Sequence, residues 1–190
     1  MIGGAPPISQ AFLDSIQPVV LVGGKSRRFG RDKLVEPWNG KYLVQYPIEA
    51  LRRIFGARVK TVGACDPRIS GLADGAVSDH HPGVGPIGGI VSALDSWNGP
   101  VFVLAGDMPS VSGVDILAIV AEAERKRDLA AVVGITDRIH PCFGTYFEKA
   151  GPLLQGRIAT SRYRLHDALP MDLVRHVAVS RESAANINAR

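Results

Sequence analysis

The chain has 190 residues, of which 46% are hydrophobic, as expected of one globular domain that buries a core. This composition argues against disorder as the main state, and no apolar run approaches the roughly 20 residues that a bilayer-spanning helix needs. The net charge of +4 at pH 7 suits an anionic partner. Because no run of Lys and Arg is interleaved with aromatic residues, a small polyphosphate ligand accounts for this charge better than nucleic acid does.

Residues 1–17 lack the basic start and the continuous apolar block of a secretory signal, so we expect a cytoplasmic protein. Their Gly-Gly-Ala-Pro-Pro segment predicts a flexible N-terminal tail, and residues 18–190 are expected to form a single domain. The two cysteines, Cys65 and Cys142, have no metal-ligand spacing. We predict that both are free thiols that pack as small apolar groups.

Short apolar runs alternate with longer amphipathic stretches along the rest of the chain. Residues 18–22 (PVVLV) end in two glycines, which predicts a buried strand followed by a loop. Residues 46–55 carry apolar side chains at helical spacing and precede Gly56, a typical helix end. In chain order, strands are predicted over residues 18–22, 59–64, 101–105, 129–135, 142–147 and 174–179, and helices over residues 46–55, 88–96 and 114–127 and from residues 151–154 onward.

Strands that alternate with helices need crossover connections, so this pattern predicts an α/β fold with a mostly parallel sheet covered on both faces. In open sheets of this kind, ligands bind beyond the carboxyl ends of the strands. The chemistry is therefore expected directly after Val22 and directly after Ala105. The two most distinctive motifs of the sequence lie at these two points.

The first motif is the glycine-rich segment GGKSRRFGRDK, residues 23–33. Gly23 and Gly24 allow a tight turn whose backbone N–H groups form an anion site, and Arg28 and Lys33 add positive charge suited to a triphosphate. A Walker loop is excluded because the position that requires its first glycine is Val19. A Gly-x-Gly-x-x-Gly pattern at residues 83–88 follows a polar stretch rather than a strand, so we regard it as accidental.

With its two preceding residues, this segment reads LVGGKSRRFGRDK and resembles the signature LAGGxSxRMGxDK of the molybdenum cofactor guanylyltransferases. It departs from the signature at Val22 and Phe29. The related cytidylyltransferases usually have Ala-Ala-Gly here, so Gly23 and Gly24 favour the guanylyl branch. The resemblance implies a Rossmann-like nucleotidyltransferase fold of three layers, and it implies that the following residues of the segment bind the nucleotide: Leu21, Val22, Gly23, Gly24, Ser26, Arg28 and Lys33.

The second motif is AGDMP, residues 105–109, in which Asp107 follows a fully apolar strand. A carboxylate there is a hard oxygen ligand that can hold Mg²⁺ together with phosphate oxygens. The motif resembles the family's strand-end Asp-x-Pro, whose acid binds magnesium and contacts the nucleotide. Mg²⁺ is therefore the expected cofactor. An Asp that only caps the next turn is the structural alternative.

Residues 79–90, DHHPGVGPIGGI, resemble the family segment DxxxxxGPLAG, which lines the base and the ribose. The resemblance implies nucleotide contacts for Asp79, Gly85, Pro86, Gly88 and Gly89. Asp79 can accept hydrogen bonds from a guanine edge or a ribose, and the glycines can start a helix close to the nucleotide. We expect the adjacent His80 and His81 to face solvent rather than to ligate a metal.

Two later segments are expected to contact the acceptor substrate. Residues 138–143, RIHPCF, resemble the family's Gln-Pro-Leu segment, with His140 in place of Gln and Pro141 retained. Asn186 and Asn188 match the start of the family's Asn-Ile-Asn-Thr-Pro ending. For the arginines at 157, 162 and 164 two interpretations stay open, since they can bind the pterin phosphate or form a solvated basic face.

The resemblance implies transfer of GMP from GTP to the terminal phosphate of molybdopterin with release of pyrophosphate. Arg28, Lys33 and Asp107 would be the catalytic residues. A phosphate monoester is already largely anionic at neutral pH and needs no strong base, which agrees with the absence of an obvious Ser-His-Asp or Cys-His set. Expected partners are GTP, molybdopterin and transiently the cofactor assembly proteins, with neither nucleic acid nor membrane. A cytidylyltransferase, a sugar-phosphate nucleotidyltransferase and a non-catalytic nucleotide-binding protein remain alternatives.

Overall fold

The computed structural model describes residues 8–23 and 32–187, and nine strands lie within these residues. The strands are β1 Gln17–Leu21, β2 Pro37–Trp38, β3 Lys41–Tyr42, β4 Lys60–Val62, β5 Gly75–Val77, β6 Val101–Ala105, β7 Ala131–Ile135, β8 Ile139–Tyr146 and β9 Val174–Ala178. The α-helices are α1 Gln10–Ser15, α2 Gln45–Phe55, α3 Pro67–Ser70, α4 Pro86–Asp95, α5 Gly113–Arg125 and α6 Ala150–Ala159. Short 3₁₀ helices cover Lys33–Val35, Leu165–Asp167 and Met171–Leu173.

Seven of these strands form one sheet in the order β5-β4-β1-β6-β8-β7-β9. All the pairings are parallel except the two that β8 makes with β6 and β7. The prediction of an α/β fold with a mostly parallel sheet is therefore confirmed. Since β1 lies between β4 and β6, the chain leaves the carboxyl end of β1 at a point where the strand order changes direction, and such points form a ligand crevice.

Both faces of the sheet are buried, and its central strands β1 and β6 accordingly have apolar side chains at successive positions. On one face Phe102 of β6 packs between Phe55 and Phe143, with ring centroids 5.6 and 6.3 Å apart. This face is covered by α2 and α5, whereas α4 and α6 cover the opposite face, against which Val101 and Val103 pack. The result is a three-layer α/β/α arrangement.

The N-terminal part of the fold differs from the sequence-based prediction of a tail over residues 1–17. Ser9 caps α1, Phe12 and Ile16 are buried, and Gln17 already belongs to β1. The helix is held because Phe12 and Ile16 bury apolar surface against the α2 and α5 face of the sheet. Residues 1–7 lie outside the described part of the chain.

Several short elements were not predicted. The hairpin of β2 and β3 turns at Asn39 and Gly40, which both have positive φ angles, 44° and 86°. The α4 helix begins at Pro86, two positions before its predicted start, because Pro is favoured in the first turn of a helix. The strands β2 and β3 are too short and too exposed to produce a hydrophobic period.

Two further observations concern the cysteines and the helices. Both cysteines are free, as predicted, and burial raises the pKa of the Cys142 thiol to about 12, so this thiol is not a nucleophile at neutral pH. Among the described residues, the helices are too short and too polar for any of them to cross a bilayer.

Candidate active site

The carboxyl ends of β1, β4 and β6 lie side by side. The Gly106 N–H donates to the Leu21 carbonyl at 3.0 Å, and the Val22 N–H donates to the Val62 carbonyl at 2.9 Å. The segment that follows Val22 and the segment that follows Ala105 therefore leave the same edge of the sheet. This is the placement that the sequence predicts for its two main motifs.

Lys33 and Asp107 meet at this edge. The Lys33 Nζ lies 2.5 Å from the Asp107 Oδ2, and the two side chains are 20% and 14% exposed. The backbone of Lys33 is fixed because Asp32 caps its 3₁₀ helix by accepting the Leu34 N–H at 3.0 Å, and because Leu34 is buried. The structure thus brings together two predicted catalytic residues from distant segments of the chain.

A third group completes this arrangement and was missed by the sequence analysis. The Ile187 carbonyl accepts a hydrogen bond from the Lys33 Nζ at 3.3 Å, and the Ile187 N–H donates to the Asp107 carbonyl at 2.9 Å. Ile187 acts through its backbone, so its side-chain type carried no signal. Its neighbour Asn186, predicted to bind the acceptor, consequently lies next to the Lys33–Asp107 pair, while Asn188 lies outside the described residues.

The glycines at the strand ends let two backbones touch. A Cβ placed on Gly63 would lie 2.6 Å from the Gly23 nitrogen, and Gly63 has a φ of +109° that L residues rarely adopt. A Cβ on Gly106 would lie 3.0 Å from the Leu21 carbonyl oxygen. Gly23 was predicted at this site, but Gly63 was not, since an isolated glycine after a strand is a common pattern.

The other predicted phosphate-binding residues of the glycine-rich segment are Gly24, Ser26 and Arg28. They lie outside the residues that the structure describes, so their roles stay predictions. Gly23 and Lys33, the first and last residues of the segment, are described, and both lie at the edge of the sheet that carries Asp107.

The segment before α4 follows the same edge. Gly85 precedes the helix with a φ of +82°, and Pro86 opens it. A Cβ on Gly88 would lie 2.5 Å from the His81 carbonyl oxygen, and a Cβ on Gly89 would lie 3.0 Å from the Leu21 Cδ2. Packing therefore explains these two buried glycines, and they bring the start of α4 close to β1. Their predicted contact with the nucleotide stays a prediction.

Asp79 shapes the loop that leads into α4. Its Oδ1 accepts the His81 N–H at 2.9 Å and lies 3.4 Å from the Ser92 Oγ. The Ser92 Oγ also accepts the His80 N–H and donates to the Gly88 carbonyl, each at 2.9 Å. His80 is exposed, and the described residues contain no group of three or more His, Cys, Asp or Glu that could hold a metal ion.

His140 and Pro141, the predicted acceptor-binding residues of β8, lie at the same edge. Because β8 runs antiparallel to β6, the start of β8 is next to the carboxyl end of β6. The His140 Nε2 lies 2.8 Å from the Thr136 Oγ1, and burial, followed by the nearby Arg138, lowers the pKa of His140. The Pro141 carbonyl accepts the Tyr146 O–H at 2.7 Å. Pro141 has no N–H to donate, which agrees with the irregular β7–β8 register at this point.

Pro141 also lines a mostly apolar cavity of about 370 Å³ between β7, β8, β9 and residues 165–171. Of the three arginines with two open interpretations, Arg157 pairs with Asp167 at 3.3 Å, while Arg162 and Arg164 are exposed. None of the three makes a hydrogen bond or an ion pair with Lys33 or Asp107 in the described structure.

Comparison with known proteins agrees with this geometry. The family model described as a MobA-like NTP transferase domain matches residues 18–169. The chain belongs to the family of MobA-like nucleotidyltransferases. It is therefore an enzyme of the nucleotidyltransferase class, and its Lys33–Asp107 pair lies at the edge of the sheet where such an enzyme is expected to bind its nucleotide.

Curated relatives of this MobA-like chain cover most of its length. A probable molybdenum cofactor guanylyltransferase of Pyrococcus horikoshii is 32% identical over 184 residues, which is 90% of this chain and 93% of the relative. A protein of the same description from Thermococcus kodakarensis is 32% identical and covers 90% and 89% of the two chains.

Solved structures show the same fold. A crystal structure of a protein from Aquifex aeolicus has a TM-score of 0.76 and 28% identity, covering 93% of this chain and 94% of the other. The molybdopterin-guanine dinucleotide biosynthesis protein A of Archaeoglobus fulgidus has a TM-score of 0.67 and 26% identity, with 85% and 82% coverage. A Thermus thermophilus cytidylyltransferase, at a TM-score of 0.62 and 16% identity, shares the fold and covers 90% and 92% of the chains.

Proposed function

We propose that this enzyme transfers GMP from GTP to the terminal phosphate of molybdopterin and releases pyrophosphate, in the synthesis of the molybdenum cofactor. The names of the relatives support the substrates, since the curated matches at about 30% identity are called molybdenum cofactor guanylyltransferases. The observation that carries the proposal is the contact of Lys33 with Asp107, which joins the glycine-rich segment to the strand-end acid.

The charges at this contact suit phosphoryl chemistry. The Lys33 ammonium has three N–H donors, and Asp107 and Ile187 account for two of them. A further donor can hydrogen-bond to an α-phosphate oxygen of the bound nucleotide, where negative charge grows during attack. A cation held by a carboxylate and a backbone carbonyl is preorganised, and preorganised charge is usually the largest contribution to catalysis.

Mg²⁺ fits the acidic part of the site. It usually binds one or two carboxylates and takes its remaining ligands from water and substrate phosphates, so a cluster of three protein ligands is not required. Lys33 contacts only Oδ2 of Asp107, and Oδ1 is the candidate ligand. When bound, the metal would neutralise phosphate charge and orient the triphosphate.

The reaction needs little else from the protein. A terminal phosphate oxygen of the acceptor forms a bond to the α-phosphorus of GTP, and the bond from that phosphorus to the bridging oxygen of pyrophosphate breaks. The attacking monoester is largely dianionic at pH 7 because its second pKa is about 6. No general base is required, and because burial lowers the pKa of His140, this side chain is a weaker base than a free imidazole and can serve as a hydrogen-bonding group.

Product formation tests this proposal. The purified enzyme is incubated with Mg²⁺, molybdopterin and GTP, CTP, ATP or UTP in turn, and both pyrophosphate and the dinucleotide product are measured. We expect both products with GTP and much less with the other nucleotides. Activity with CTP alone would replace the proposal by a cytidylyltransferase, and binding of GTP without pyrophosphate release would replace it by a non-catalytic nucleotide-binding protein.

A further inference from the structure

The chain that follows β9 returns to the active site along the start of α5. At the beginning of this return, four polar residues form a hydrogen-bonded group that we call the Asp115 cluster: Ser112, Asp115, Ser180 and Ser183. Ser112 caps α5 and Asp115 lies in its first turn, whereas the other two serines belong to the returning segment. The cluster therefore ties two separate parts of the chain together.

The bonds of the Asp115 cluster leave few of its polar groups unused. The Asp115 Oδ2 accepts the hydroxyl of Ser112 at 2.9 Å and the hydroxyl of Ser180 at 2.8 Å, and Oδ1 accepts the Ser180 N–H at 3.3 Å. The Ser183 Oγ accepts the Ser112 N–H at 2.8 Å, and the Ser183 N–H donates to the Ser180 Oγ at 3.2 Å. Ser183 is 1% exposed, so its bonds are shielded from water.

Both chain segments that leave the cluster reach Asp107. Ser112 follows Asp107 on the short connection from β6 to α5. On the other side, the chain runs from Ser183 to Ile187, whose N–H donates to the Asp107 carbonyl and whose carbonyl accepts from the Lys33 Nζ. The two segments are thus joined at one end by the hydrogen bonds of the Asp115 cluster and at the other end by the contacts of Ile187 with Asp107 and Lys33.

Helix capping explains only part of this cluster. The Ser112 Oγ accepts the Asp115 N–H and donates its hydroxyl to the Asp115 Oδ2, which provides the side-chain cap of α5. The bonds that Ser180 donates to the Asp115 carboxylate involve no backbone group of α5, and they join an exposed residue of the returning segment to the helix. These additional bonds fix where the segment approaches Asp107.

We propose that Asp115 and Ser180 are positioning residues, which hold the segment up to Ile187 so that its backbone aligns Asp107 and the Lys33 ammonium for nucleotidyl transfer. The catalytic part of this inference rests on the proposed function. Neither residue touches a substrate in this account. They act through Ile187, and a small misplacement of a catalytic cation or carboxylate has a large effect on rate.

Ser180→Ala is the most informative variant, because it removes the hydroxyl bonds to Asp115 and Ser183 and leaves the α5 cap in place. We expect kcat to fall about tenfold while KM for GTP stays within about twofold, since alignment and not affinity is lost. Ser180→Thr keeps a hydroxyl at this exposed position and is expected to restore most of the rate. The exchange of the Ile187 amide hydrogen, followed by NMR, should accelerate in Ser180→Ala.

Two further variants separate positioning from general destabilisation. Asp74→Asn breaks the ion pair with Arg52 at the opposite edge of the sheet, and it should lower Tm without changing kcat or the exchange at Ile187. Ile187→Pro removes the N–H that bonds to Asp107. In that background, Ser180→Ala should cost less than about twofold in kcat, because residues that act through one contact are not additive.

The proposal is overturned if Ser180→Ala keeps both the normal kcat and the normal exchange at Ile187, or if its loss of rate is matched by Asp74→Asn. Full additivity with Ile187→Pro would also overturn it. The exchange experiment needs no substrate. If the wild-type enzyme transfers no nucleotide, the proposed function fails, and the exchange rates still decide whether the cluster positions Ile187.

Discussion

Two parts of the same sheet edge differ in the origin of the groups that their polar residues contact. At β1 and β6, Lys33 and Asp107 come from distant segments and converge on each other. At the start of β8, His140 and Pro141 contact Thr136 and Tyr146, which belong to the same β-hairpin. Charged groups that converge across the chain are costly to desolvate and point to chemistry, whereas local contacts are explained by the folding of the hairpin itself.

The largest effect is expected at Asp107. Asp107→Asn keeps the side-chain shape but removes the negative charge that pairs with Lys33 and can bind Mg²⁺, so kcat should fall by about 10³-fold. Circular dichroism should show an unchanged fold, because the buried cores do not include this residue. Near-normal turnover in this variant would contradict the conclusion that the Lys33–Asp107 part of the edge, and not the start of β8, carries the chemistry.

Lys33 is expected to matter almost as much. Lys33→Met retains the apolar stem and removes the ammonium, and we expect a fall of about 10²-fold in kcat, measured by pyrophosphate release at saturating GTP. Lys33→Arg keeps the charge and should recover part of the rate. Equal activities of the Met and Arg variants would mean that the charge at this position is not used.

Gly63 tests the backbone contact between the ends of β1 and β4. Gly63→Ala places a Cβ within 2.6 Å of the Gly23 nitrogen at a φ of +109°, so the glycine-rich segment must shift. We expect a loss of stability of about 1–3 kcal/mol and a KM for GTP that rises about tenfold. Gly71→Ala, which meets open space at a negative φ, is the matched control and should leave KM unchanged.

The smallest effect is expected at β8. His140→Gln introduces the residue that the family usually has here, and we expect KM for the acceptor to change by only about two- to fivefold with kcat preserved. A loss of kcat comparable to that of Lys33→Met would place His140 in the chemistry and contradict the comparison.

The same variant carries a pH prediction. The pKa of His140 is lowered from 6.5 by burial, so the unfolded chain binds more protons than the folded one once the pH falls below about 6.5. The free energy of unfolding of the wild type should therefore decrease as the pH falls through this region, and His140→Gln should weaken that decrease. Denaturant unfolding between pH 5 and 8 measures this pH dependence. Identical pH profiles of the wild type and His140→Gln would contradict a lowered pKa of His140 in the folded protein.

The sequence predicted the parts of the site where backbone geometry restricts the residue type. Gly23 follows an apolar strand and opens a pair of glycines in a basic segment, and Asp107 is a lone acid after a fully apolar strand, so both positions were informative, unlike the isolated Gly63. Ile187 could not be predicted, since a carbonyl and an N–H carry no side-chain signal. The Asn39–Gly40 pair is a recognisable hairpin-turn signal, whereas α1 is too short to show a helical period.

The most direct test of the central claim is the melting temperature of the wild-type enzyme with Mg²⁺ and either GTP at about 100 times its dissociation constant or CTP at the same concentration as GTP. Binding at that saturation adds about 2.7 kcal/mol. For a chain of this size the account predicts that Tm rises by roughly 5–11 °C with GTP and by much less with CTP. A rise with CTP alone, or no rise with either nucleotide at millimolar concentration, would contradict the assignment of the Lys33–Asp107 edge as a GTP site.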